Sequence, residues 1–88
     1  MTGRRSSHPD LEEKLKKYLD KARPRFTSVE KTEDSLKADK LISSALNYFS
    51  DANHFFEEGN YVNALAALEY AEGWLDAGCE LGFLEIKA

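Results

Sequence analysis

Eighty-eight residues allow one domain with a single core; 42 % are apolar, as in an ordinary folded chain, while the 32 % that are charged exceed the usual fraction of about a quarter. The one cysteine, Cys79, excludes an internal disulfide and a thiolate-built metal site, and suits a reducing cytoplasm. The net charge of −4 is unevenly divided: residues 1–40 carry 11 Lys/Arg against 8 Asp/Glu, residues 41–88 carry 1 against 8, so nucleic-acid association is confined to the N-terminal third.

Residues 1–8 read as a basic, frayed tail without a continuous apolar stretch for export or a membrane span, leaving 9–88 as the domain. Pro9 and the acids Asp10, Glu12 and Glu13 then have the grammar of a helix start. Leu11, Leu15, Tyr18, Leu19 and Ala22 form one apolar face of a helix over 9–23, with Glu13 and Lys17 as an i,i+4 pair on another. Because the residue before a proline is pushed out of the α region, Pro24 should end this helix.

Residues 24–32 lack helical period and read as a loop anchored by Phe26 and Val29, with Thr32 or a neighbour capping the next helix. That helix, over 33–58, carries Ala38, Leu41, Ile42, Ala45, Leu46, Tyr48, Phe49, Ala52, Phe55 and Phe56 around half its circumference, so it should touch both other helices. Gly59-Asn60 is the corner of an antiparallel αα-hairpin, with Gly59 left-handed and Asn60 capping a helix over 61–81. Folding the chain back at this corner pairs large with small side chains, Phe56 with Ala64, Ala52 with Leu68, Phe49 with Ala71, Ala45 with Leu75 and Ile42 with Gly78. The fold class is therefore all-α, a three-helix up-and-down bundle. The tail Phe83-Leu84-Glu85-Ile86 is too short to make a sheet alone; it folds back over the open end of the bundle or joins another chain.

Chemistry is sparse. Asp51, His54 and Glu58 share a helix face but one turned to solvent, so no metal site is assigned. Glu69, Glu72, Asp76 and Glu80 form an acidic stripe that reads as a solvated face, a docking surface for the lysines of the first helix, or a site for a cation or basic partner. Cys79 has no basic residue beside it and reads as a small buried hydrophobe. No phosphate-cradling glycine loop, nucleophile elbow, Cys-x-x-Cys pair or Ser/His/Asp arrangement is present, so no catalytic or cofactor-binding residue is assigned.

What remains is surface. Tyr70, Trp74 and Leu81 lie at the margin of the last helix's apolar arc, where they pack on the first helix, meet a partner or line a small pocket. With Gly73, Phe83, Leu84 and Ile86 they make up the candidate partner surface.

Two resemblances follow. Glu58-Gly59-Asn60-Tyr61-Val62-Asn63-Ala64-Leu65 resembles the middle of a tetratricopeptide repeat, but a solenoid needs about three such units and one is present. Tyr48-Phe49-Ser50-Asp51-Ala52, Phe56, Ala64-Leu65, Tyr70 through Gly78 with the segment Gly73-Trp74-Leu75-Asp76-Ala77-Gly78, and Leu81-Gly82 resemble the archaeal family known as domain of unknown function 357 over about residues 10–86. That resemblance implies a left-handed three-helix bundle in an archaeal cytoplasm and no established activity. Gly73 sits on the outer face of its helix without a packing reason, which points to close approach of a partner. The expected role is a non-enzymatic interaction or self-association module, without cofactor or membrane, the alternatives being nucleic-acid binding by the basic N-terminal third and an enzymatic or metal-binding bundle.

Overall fold

The computed structural model describes residues 9–87; the expected basic tail, residues 1–8, and Ala88 lie outside the described residues. Three helices, α1 (Pro9–Thr27), α2 (Leu36–Glu57) and α3 (Tyr61–Glu80), make an all-α bundle, joined by two three-residue strands, β1 (Val29–Lys31) and β2 (Leu84–Ile86).

The α2–α3 hairpin is the frame. Its corner is a Schellman turn: the Gly59 amide donates to the Phe56 carbonyl at 3.0 Å and the Asn60 amide to Phe55 at 2.9 Å, with Gly59 at φ 80°. Asn60 is the N-cap of α3, but its side chain makes no capping bond. Along the hairpin Ala38, Ala45, Ala52, Ala64 and Ala71 are fully buried among Phe49, Leu68 and Leu75, so the two backbones lie close together.

α1 packs its stripe of Leu15, Leu19, Ala22 and Phe26 into the same core. The expected stop at Pro24 is overturned, since the helix runs on to Thr27 with the proline inside it. The proline lacks one donor and is exposed, where water can satisfy the orphaned carbonyl. Continuing the helix carries Phe26 onto the core face, and its ring stacks on Phe49 of α2 at a centroid distance of 4.3 Å and 6° between planes. Burying a phenylalanine contributes about 1.5–3 kcal/mol, comparable to the roughly 3 kcal/mol a helical proline costs, before the stacking is added. Phe26 extends the series of Leu15, Leu19 and Ala22 by one more turn, and this was the available sequence signal.

The expected loop over 24–32 is likewise part helix and part strand. β1 and β2 pair antiparallel with Val29 opposite Ile86, Glu30 opposite Glu85 and Lys31 opposite Leu84. Flanking bonds, Thr32 amide to the Phe83 carbonyl at 2.9 Å and Lys87 amide to the Ser28 carbonyl at 3.0 Å, extend the ladder. The C-terminal segment is thereby clasped to the connection between α1 and α2, and the tail folds back on its own domain. Thr32, spent on this clasp with its hydroxyl on the Gly82 carbonyl at 2.6 Å, does not cap α2. Ser35 does, accepting from the Ala38 amide at 3.1 Å, so α2 begins at Leu36 rather than 33.

At the far end α3 closes in a second Schellman turn, with Gly82 at φ 83° and the Phe83 amide on the Gly78 carbonyl at 2.9 Å. Gly82 thus lies past the helix, and its glycine serves the turn rather than interhelical packing. Gly78 does serve close approach, and the atoms nearest to it belong to Leu84 of the folded-back tail. A Cβ built on Gly78 would lie 2.7 Å from Leu84 Cγ and closer still to Cδ1.

Candidate functional site

Of the seven candidate surface residues, the fold separates two groups. Leu84, 2 % exposed, is core and Phe83 and Ile86 are half-buried, because the strand pairing turns the tail inward; Leu84 is withdrawn from any surface. Tyr70, Gly73, Trp74 and Leu81 remain together on the outside of α3, at 63 %, 40 % and 66 % exposure for the three side chains.

They belong to a longer feature. Val62, Ala66, Tyr70, Gly73, Ala77 and Leu81 recur every three or four residues, hence on one helix face, and all six are exposed. None of these six positions is charged, and Glu80 stands at the edge of the stripe where α3 ends. Val62, Ala66 and Ala77 were not anticipated as surface residues, though their spacing from Tyr70 marks them as such. A Cβ on Gly73 would meet nothing within 4 Å.

The two flanks differ. Toward α2, the Tyr70 ring stacks with Tyr48 at 5.3 Å and 25°, bridging the hairpin, and Trp74 borders a shallow groove of about 490 Å³ with Leu36, Lys40, Ser43 and Asn47. Trp74 therefore lies on the α2 side of its helix and not against α1. Toward α1 stand Glu69, Asp76 and Glu80. Asp76 accepts from Arg25 of α1 at 2.7 Å and Glu72 lies 4.0 Å from the same guanidinium, so an arginine, not the lysines, seats α1 on the acidic stripe. Among the described residues neither Glu69 nor Glu80 forms an ion pair. Glu69 shares one shallow depression of about 410 Å³ with Ala66 and Tyr70, and lines a groove of about 440 Å³ between α1 and α3 with Tyr18, Lys21, Arg25 and Leu65.

The other candidates stay dispersed. Asp51, His54 and Glu58 are all exposed, and among the described residues no group of three His, Cys, Asp or Glu side chains is placed to hold a metal ion. Cys79 is half-buried, and burial pushes its thiol up, with Arg25 opposing weakly, so the reactive thiolate is disfavoured. On α1 the i,i+4 pair is Lys16–Asp20 at 3.2 Å, not Glu13–Lys17; Arg23 at 2.9 Å and Lys16 together hold the Asp20 carboxyl below its ordinary range. No helix among the described residues is long and apolar enough to cross a membrane.

The fold and surface define a small three-helix module whose C-terminal segment is clasped to the α1–α2 connection by a two-stranded ladder. The chain belongs to the family described as protein of unknown function DUF357, whose model matches residues 10–84. It is similar to the crystal structure of protein AF1782 from Archaeoglobus fulgidus, assigned to the same family, at 25 % identity and a TM-score of 0.75, with 91 % of this chain and 97 % of that one covered. Comparison with curated proteins gives no match.

Proposed function

We propose that this protein is a non-enzymatic docking module that binds another protein through the outer face of α3. The observation that carries the reading is the unbroken exposed stripe Val62–Ala66–Tyr70–Gly73–Ala77–Leu81, which the fold leaves uncovered. Contiguous apolar surface of this kind is retained in small proteins where something binds. Gly73 supports it further: glycine costs about 1 kcal/mol in a helix interior, and the space beside it is empty. The aromatic pair Tyr48–Tyr70 and Trp74 supply the large, rigid contact area that anchors interfaces.

Nucleic-acid association through α1 draws no comparable support. Lys16, Arg23 and Arg25 are engaged with Asp20, Asn53 and Asp76, and acids interleave the remaining lysines. The test is retention of proteins from a lysate of the source organism on the immobilised wild-type chain and on a Tyr70→Glu/Leu81→Glu variant of equal melting temperature. The wild type should retain a protein that the variant loses; identical retention profiles overturn the reading.

A further inference from the structure

We infer that the partner presents a basic amphipathic helix, laid along α3 with its apolar side over Ala66, Gly73 and Ala77 and its lysines or arginines toward Glu69 and Glu80; this rests on the docking face proposed above. The stripe is straight, has helical period and is floored by three small residues, so a second helix can approach closely. One wall carries Tyr70 and Trp74, with Asp39 and Lys40 in the groove beyond; the other carries two carboxylates without ion-pair partners among the described residues, one of them in the same depression as Ala66 and Tyr70. Residues 41–86 contain no Lys or Arg, so a cationic segment meets attraction along α3 and along α2 beyond Lys40.

The same charges disfavour a second copy of this chain. A two-fold axis through the middle of the stripe lays two α3 helices antiparallel, and each flank then runs beside its own image. Glu69 of one copy would lie beside Glu69 and Asp76 of the other, with Arg25 neutralising only Asp76, while Glu80 would face Asn63. A basic helix removes that repulsion and uses the free carboxylates.

Two synthetic amphipathic peptides with the same leucine stripe, one with lysine and one with glutamate elsewhere, make the probe; Trp74, the sole tryptophan, reports binding by its fluorescence. The lysine peptide should bind and the glutamate peptide should not. Glu69→Lys/Glu80→Lys should weaken the lysine peptide at least tenfold, and Gly73→Leu, which fills the floor without touching the fold, should do the same with helicity and melting retained or raised. Equal binding of both peptides, or an unchanged constant in the charge-reversed variant, overturns the basic partner while leaving the docking face standing if Gly73→Leu still blocks. A wild-type dimer in sedimentation that Gly73→Leu dissociates also overturns it, in favour of a second copy. Binding indifferent to Gly73→Leu removes the face itself.

Discussion

Two glycines five residues apart in α3 show how little the residue type says without its neighbours. At Gly78 an added methyl collides with Leu84, which the β-ladder and its own burial hold in place. Overpacking of this kind costs about 1–3 kcal/mol and exceeds the roughly 1 kcal/mol that alanine gains over glycine in helix propensity. Gly78→Ala should therefore lower stability in urea denaturation, and in a Leu84→Ala background the sign should reverse. At Gly73 nothing opposes the propensity gain, so Gly73→Ala should raise stability by roughly 0.5–1 kcal/mol. Equal and same-signed shifts at the two positions would contradict this account of the packing.

At the level of elements, α1 and the ladder are where local preference yields to packing. Arg23 is disfavoured in the α region by the proline after it, yet the helix passes through, because stopping there would leave Phe26 without its stack on Phe49. The proline is thus a tolerated expense on the solvent side. Pro24→Ala should raise stability by about 1–3 kcal/mol, measured as a higher urea midpoint with an unchanged slope. The ladder brings Glu30 directly opposite Glu85, a repulsive cross-strand pair that Lys87 offsets by sitting 3.1 Å from Glu85. Three-residue strands survive only because Leu84 is core and the bonds at Ser28 and Thr32 extend the pairing.

The whole molecule is elongated: its radius of gyration of 14.5 Å exceeds the roughly 12 Å of a compact chain of this length, and its axes measure 51 × 21 × 16 Å. Such a shape has room for one thin core and much surface. α1 is held to the hairpin by four buried side chains and by the exposed Arg25–Asp76 pair. The two leucines and the phenylalanine among them contribute about 1.5–3 kcal/mol each and a surface ion pair about 0–1, so apolar burial decides the seating. Raising salt from low to molar concentration should accordingly leave the melting transition single and shift its midpoint by no more than a few degrees. A separate early transition appearing with salt would show α1 held by charge instead.

Local chemistry dictates the three helices, the hairpin corner at Gly59 and the outward position of Gly73, through a period of 3.6, a left-handed glycine and a phase opposite the apolar arc, while Tyr70 and Leu81 stand at the margin of that arc and only packing turns them outward. Tertiary structure alone decided the passage of α1 through Pro24, the pairing of Val29–Lys31 with Leu84–Ile86, and the filling of the Gly78 notch by Leu84. The first two join residues about 23 to 57 positions apart, and the third, only six apart, depends on that strand pairing to turn Leu84 inward; no local pattern records which distant side chain will supply the energy that overrules a local preference.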